Sequence, residues 1–540
     1  MSRLLMRGFL SVVLVAAMLL GITVYGETTS GPLVPYQEPV TITWGANIHM
    51  AQVFDPGDSY EDNIWTRTIK EHLNIDIEVA FTADEASGAF QNKLMTLLAS
   101  DDLPDITRSS NRTFFHQAQR AGYLADLTDL MTEFGSEQLL AFQSMYPAGF
   151  MGGTVDGRLY GFPNLDDKFH TGAYLWVRDD WLENTGSEAP KNMDEMVELA
   201  RKFTTGDPNQ DGQNNTYGLV FVRNMMENLY GILGGFGVPA MNDGIFYRGD
   251  DGKVTYSYIQ PQVKEALAVV RGMYSEGLID PEFIVKDWDS IEADIAAGKL
   301  GMQYYRNWGT WYPWNILWEN LGKTTRPYPI PVQDGYQKQV GIANSEGGEL
   351  CIMSSKCENP EALVQIANLF TKLVYEDPDP NGFETYWPNG RLYLCPVYVF
   401  MPPELYSPMI LDALAKGTDE GMPGYAKPQY RRVVEFNSGA DTGMDAYGSW
   451  GQMSEWGSMA IALFDYRRDN DALVENVLGS NIPEKWLESN AVLTDIINIG
   501  FTDIVIGNRD LDDFDTIAKD WLNNGGQEVL DELEILYPAQ

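Results

Sequence analysis

From Val40 onward the apolar residues switch repeatedly between the two-residue period of a strand and the 3.6-residue period of a helix. Val40-Thr41-Ile42-Thr43-Trp44-Gly45 is β-branched and ends in glycine, which suits a first buried strand. Ile64, Trp65, Ile69 and Leu73 then recur at helical spacing, residues 75–81 alternate, residues 89–98 are helical again, and Ile106 belongs to a third strand. Strand, helix, strand, helix, strand is the order of a parallel sheet covered by helices, so the expected fold class is α/β. Ligands of such sheets lie beyond the carboxyl ends of the strands. That rule singles out residues 44–49 and 107–111.

A second α/β unit is expected where residues 156–163 lead into the apolar run 173–177, with helices starting at Arg178 and again near Asn192, a suitable N-cap. Residues 340–342 and 350–353 read as strands, 360–374 as a helix with proline in its first turn, and the remainder as mostly helical to Tyr537. At 540 residues the chain exceeds what one core supports, so at least two lobes are expected.

Residues 1–26 carry Arg3 and Arg7 and then an uncharged apolar run over 9–24, the pattern of a cleavable signal peptide. The run is short for a membrane-spanning helix, which favours cleavage. Residues 27–39, with Gly31, Pro32, Pro35 and Pro39, read as a linker. The expected location is therefore extracytoplasmic. A lipid anchor needs a cysteine beside the cut, and the three cysteines are Cys351, Cys357 and Cys395, so none is expected. Three buried thiols are the plainer reading of these, although one internal disulfide is permitted. With 77 acidic and 37 basic residues the formal net charge is −40. Such a surface repels nucleic acid and anionic lipid. A polyanionic ligand would need a local basic pocket, for which Arg108, Arg178 and Arg306 are candidates.

Aromatic residues crowd into Tyr304-Tyr305-Arg306-Asn307-Trp308-Gly309-Thr310-Trp311-Tyr312-Pro313-Trp314, followed by Trp318. Glycine and proline interrupt the run, and polar residues sit among the rings. Flat amphipathic rings with a few polar partners are what a sugar cleft needs, because a sugar ring offers an apolar C–H face and a rim of hydroxyls. The competing reading is core closure between two lobes.

Asp207-Pro208-Asn209-Gln210-Asp211-Gly212-Gln213-Asn214-Asn215 is a second local signal. Oxygen-bearing side chains at loop positions one, three, five and nine, glycine at six and a carbonyl from seven are how an EF-hand-like loop wraps Ca²⁺. Position twelve, usually a bidentate glutamate, is Gly218. An Asx-rich turn holding no metal is the alternative.

Leu98-Ala99-Ser100-Asp101-Asp102-Leu103-Pro104-Asp105-Ile106, Tyr160-Gly161-Phe162-Pro163, Trp176-Val177-Arg178-Asp179-Asp180-Trp181-Leu182 and Glu276-Gly277-Leu278-Ile279-Asp280-Pro281 together resemble the family 1 extracellular solute-binding proteins. Residues 514–530 are similar to the long, often lipid-anchored branch that serves oligosaccharide importers. The resemblance implies a two-lobed periplasmic-binding-protein-like fold (type II) that closes on a sugar and delivers it, as a monomer, to an ABC transporter permease. It implies discontinuous lobes, the first from 40–155 and 332–376, the second from 156–331 and 377–540. It also implies structural Ca²⁺ in the loop, held by Asp207, Asn209, Asp211, Gln213 and Asn215. The missing lipidated cysteine is a departure from that branch.

Against a binder stand a secreted glycoside hydrolase, which needs two carboxyls across a cleft, and a cell-surface carbohydrate-adhesion module. Among 77 acidic residues a carboxyl pair is uninformative. No nucleophile elbow or phosphate loop occurs, and His49, His72, His116 and His170 lack metal-ligand spacing, so no enzyme is expected. For a binder, both lobes should touch the ligand, because only differential binding to the closed state drives closure. The expected contacts are Asn47, Ser109, Asn111 and Glu346 from the first lobe, and Trp176, Arg178, Trp308, Trp311 and Trp450 from the second.

Overall fold

The protein is described by a computed structural model over residues 31–539, apart from 49–51, 53, 86–87, 146, 165–171, 242–243, 337–339, 343–348, 377–384, 387–389, 400–402, 423–425, 455–462, 464–465 and 480. In chain order its principal strands begin with β1 (Val40–Ile48), β2 (Ile75–Asp84), β3 (Ile106–Ser109) and β4 (Gly161–Pro163). They continue with β5 (Tyr174–Arg178), β6 (Tyr217–Leu219), β7 (Leu300–Tyr305), β8 (Thr325–Tyr328) and β9 (Leu350–Met353). One sheet has the order β2-β1-β3-β9-β4 and another the order β8-β5-β7-β6.

The alternation read from the sequence builds the first sheet. β1 pairs parallel to β2, with Val40 opposite Ile75, and parallel to β3, with Trp44 opposite Ile106. Between them the helix Ile64–Leu73 starts at a capping box, in which the Asn63 side chain accepts the N–H groups of Trp65 and Thr66 while Thr66 Oγ1 accepts the Asn63 N–H. It ends where Asn74 takes the left-handed conformation (φ 58°) that asparagine tolerates. Its buried face carries Trp65, Ile69 and Leu73, with Trp65 stacked on Phe370 at 5.0 Å. Truncating such an indole costs about 3–5 kcal/mol.

Both sheets are mixed, which the sequence did not reveal. β9 runs antiparallel to β3 and β4, and β5 runs antiparallel to β7 and β8. Strand direction has no local sequence signature.

The two largest cores follow from this. The first gathers Ile42, Trp44, Trp65, Ile106, Phe162, Met353 and Phe370. The second gathers Leu175, Val177, Trp181, Phe203, Met302 and residues of the C-terminal helices such as Leu493, Phe501 and Trp521. The crossings between them differ from those expected. β4 still belongs to the first sheet, so the chain leaves the first lobe after Pro163 rather than at 156. Ile330 is in the second core with Tyr336 packed against it, so the return comes after 336 rather than at 332. Leu392, Leu394, Cys395 and Val397 remain in the first core, so the last crossing falls beyond 399 rather than at 377. Each shift occurs because apolar side chains near the expected boundary are buried on the other side of it. Cys351, Cys357 and Cys395 are free thiols, the first and last buried and Cys357 half-buried.

Candidate functional site

Strand direction decides which sheet edges meet the crossings. In the second sheet Tyr328 lies opposite Leu175, and Tyr305 opposite Tyr174. The amino end of β5, the carboxyl end of β7 and the carboxyl end of β8 therefore share one edge. The chain arrives from the first lobe at Ala173 on that edge, and β8 ends there at Tyr328, ahead of the return beyond 336. In the first sheet Leu350 lies opposite both Ser109 and Pro163, so β9 starts where β3 and β4 end. These are the edges nearest to which the chain passes between the lobes. Ten residues or so of extended chain reach about 35 Å at most, which bounds their separation. The link is fastened at its start, where the Asn164 N–H donates to the Glu349 carbonyl at 2.9 Å.

Beyond β7 the aromatic run divides. Tyr304, Tyr305 and Trp314 are buried, whereas Trp308, Trp311, Tyr312 and Trp318 are half-buried, Trp308 and Tyr312 packed against the core around Trp176 and Trp314. Trp308 sits edge-on to Tyr305, with centroids 4.8 Å apart, and nearly parallel to Tyr312 at 6.5 Å. Tyr312 donates to Glu292 at 2.8 Å, and Trp288 beside it donates to Glu227 at 2.7 Å. Burial raises the Tyr312 pKa and the bond to Glu292 adds to the shift, so the phenol stays a donor. Trp311 donates to Gln452 at 2.8 Å. Its ring lies on Gly448, where a β-carbon would come within 2.5 Å of the indole, so glycine is required for that contact. The result is a partly open shelf on which Trp288, Trp311 and Tyr312 are tied at their rims, with Trp308 in ring contact with Tyr305 and Tyr312.

In the first lobe, the carboxyl ends of β1 and β3 and the start of β9 hold a polar wall. Arg108 and Asn47 are each 2% exposed. Arg108 Nη2 donates to Asn47 Oδ1 at 2.7 Å and to the Tyr393 carbonyl at 3.2 Å. Asn47 Nδ2 donates to Glu85 at 2.5 Å and to Glu349 at 3.4 Å. Tyr398 donates to Glu349 at 3.0 Å, and its ring lies 4.6 Å from the Arg108 guanidinium carbon. Burial raises the Glu349 pKa; Arg108 opposes that shift and Glu85 adds to it. Arg108 Nε and Nη1 have no hydrogen-bond partner among the described residues, Nη1 lying 3.6 Å from Glu349.

The nine residues expected at the ligand fare differently. Asn47 belongs to the polar wall at the end of β1, and Trp308 and Trp311 follow β7, each at an edge near a crossing. Asn111 caps the helix Arg112–Arg120 by accepting the Phe114 N–H. Ser109 is buried, donates to Gln91 at 3.2 Å and accepts the Asn111 N–H at 3.0 Å, so its hydroxyl is spent locally. Trp176 is 1% exposed, donates to the Arg306 carbonyl at 2.9 Å and presses against Gly309, so its ring is sealed rather than available for stacking. Arg178 is 2% exposed, doubly bonded to Asp180 and bonded to the Gly298 carbonyl. It ends β5 at the opposite edge of the sheet, because β5 runs against β7. Trp450 is half-buried and stacked on Phe436 at 4.7 Å, packing between helices. Glu346 lies outside the described residues. Sequence reasoning missed Glu85, Glu349 and Tyr398 as members of the wall, although Glu349 directly precedes a strand start.

The loop 207–215 folds back on itself. Asp207 accepts the N–H groups of Asp211 and Gly212 at 3.1–3.3 Å. Asp211 accepts the Gln213 N–H at 2.8 Å and the side-chain amides of Asn209 at 3.0 Å and Asn215 at 2.8 Å. The bond from Asn215 leads those that hold the Asp211 pKa below its ordinary value. Asn209 Oδ1 has no hydrogen-bond partner among the described residues. Half-turns of the Asn209 and Asn215 carboxamides would aim oxygens at the point their nitrogens now reach, so the donor set fits a hard cation. A glutamate at position twelve is impossible here, since a β-carbon on Gly218 would lie 2.4 Å from Ala200 Cα.

The chain is similar to several known proteins. The model of the family described as bacterial extracellular solute-binding protein matches residues 55–377. The fructooligosaccharide ABC transporter substrate-binding protein FusA of Streptococcus pneumoniae is 26% identical over 330 residues, which are 59% of this chain and 57% of FusA. Lipoprotein LipO of Bacillus subtilis is 21% identical over 91% of this chain and 92% of its own. Among solved structures, FusA in complex with kestose superposes with TM-score 0.63 at 17% identity, covering 92% of this chain and 98% of that one. Alginate-binding protein AlgQ2 without calcium ion superposes with TM-score 0.64 at 18% identity, covering 93% and 98%. Those proteins share the two-lobed fold. With its family model matched over more than half its length, this chain belongs to the bacterial extracellular solute-binding proteins.

Proposed function

We propose that this protein captures an oligosaccharide between its lobes, by stacking on Trp308 and Trp311 and bonding to the wall around Asn47, and delivers it to an ABC transporter permease without chemical change. The observation that carries this reading is the half-exposed Trp308–Tyr312 pair at the edge where the crossings attach. Rings tied at their rims cost little further entropy when they meet a sugar face. The names of FusA and of its kestose complex support the same substrate class. Export through a cleaved leader completes the proposal.

A thermal-shift screen against neutral and acidic oligosaccharides tests it. A tight ligand at a hundredfold excess over its Kd adds about 2.7 kcal/mol of stability, so the unfolding midpoint should climb with one sugar class. A midpoint unmoved by every sugar removes the proposal, and reducing ends released during incubation would replace it with a hydrolase. We further propose that the loop 207–215 takes Ca²⁺ in the millimolar range through Asp207, Asn209, Asp211 and Asn215, with the Gln213 carbonyl, bracing the second lobe without touching sugar. A solved FusA structure is of an EF-hand mutant, which supports that assignment.

A further inference from the structure

The polar wall has a charge pattern that selects among sugars. Glu85 and Glu349 share the Asn47 amide, and Arg108 is the guanidinium set against them. Arg178 is committed to Asp180 at the far edge, and Arg391 is paired with Asp55 at 2.9 Å. Arg178 is therefore no part of a basic pocket with Arg108. On the shelf side, Glu227 and Glu292 hold the rims of Trp288 and Tyr312, with Arg306 as the nearby cation. Among these described residues, two carboxylates stand against one cation on each face.

A hydroxyl group gives one hydrogen and accepts others. It suits a place beside Arg108 Nε and Nη1, buried N–H groups without a hydrogen-bond partner among the described residues, and the Glu349 carboxylate, where it can accept from one and donate to the other. A ligand carboxylate at that place would accept from Arg108 but would lie against Glu349 and Glu85, with no proton to offer either. Like charges at about 4–6 Å disfavour the ionised form. A ligand ammonium would in turn face Arg108.

We infer that the first-lobe wall makes this a receptor for uncharged oligosaccharides and excludes uronic acids, Arg108 and Glu349 together reading a sugar hydroxyl. The inference rests on the carbohydrate reading above and narrows it. Titration calorimetry on the full chain, with kestose, nystose, maltotriose and cellotriose, tests it. Each sugar is set beside its C6-oxidised counterpart, in which primary hydroxyls have become carboxylates on the same skeleton. The neutral form should bind at least about tenfold tighter at low salt, and the gap should shrink as added salt screens the partly exposed carboxylates. In the E85Q/E349Q double variant the gap should also shrink. An oxidised form that binds as tightly as its parent overturns the inference and leaves the sugar reading standing. Silence from every sugar in both forms overturns the sugar reading and this inference with it. The wild-type comparison stands even where the double variant fails to fold.

Discussion

The two edges of the second sheet carry the same residue types and do opposite things. At one, Arg178 lies 4.3 Å over Trp181, bonded to Asp180 and the Gly298 carbonyl, with almost no surface exposed. At the other, Arg306 and Trp308 stand half-exposed beside the crossings. Arginine beside tryptophan is therefore no signature of a binding site. Which edge receives the chain from the other lobe makes the difference, and that depends on the antiparallel course of β5.

The sealed edge should report through stability. Arg178→Ala leaves Asp180 without its partner and should cost about 3 kcal/mol or more in a denaturant melt, while the folded fraction keeps its sugar affinity. A loss of affinity with unchanged stability would reverse the assignment of the two edges. His116 gives the same contrast as a titration. Burial, with Arg112 and Arg120 adding, lowers its pKa from 6.5 to about 4. The unfolded chain takes up that proton from pH 6.5 downward and the folded chain does not, so stability is complete above pH 6.5 and falls toward pH 4, by up to about 3 kcal/mol. His116→Phe should flatten that stretch of the stability–pH curve, and an unchanged slope would place the acid sensitivity elsewhere.

The open edge should report through ligand. Trp308→Ala is expected to weaken sugar binding about tenfold while costing less stability than Arg178→Ala. Equal affinities of variant and wild type would return Trp308 to the role of packing. The loop 207–215, on the same lobe, should give the smallest effect: calcium at ten times its Kd adds about 1.4 kcal/mol. An unfolding midpoint indifferent to a chelator would make the loop an Asx turn and nothing more.

Much of this was legible in the sequence, and the failures have a common cause. The strand-helix rhythm from Val40 to Ile106, the Asn192 cap and the aromatic run are local patterns, and each is written within about ten residues. Asn47 and Arg108 were reachable through the rule about strand ends. Their partners were not, because Glu349 is far from both in sequence and Tyr398 follows a segment that looked like the other lobe. Trp176 and Arg178 misled for the converse reason. They alternate along β5 as site residues would, yet the strand's direction turns Arg178 away and Gly309 lets a backbone cover Trp176.

Small-angle scattering of the full chain, with and without the sugar that shifts its melting most, tests the central claim most directly. Capture between hinged lobes predicts a smaller radius of gyration at saturation, and a W308A/W311A variant that stays expanded at the same sugar concentration. An unchanged radius with calorimetrically verified saturation would mean that the sugar sits on one lobe alone, contradicting the account.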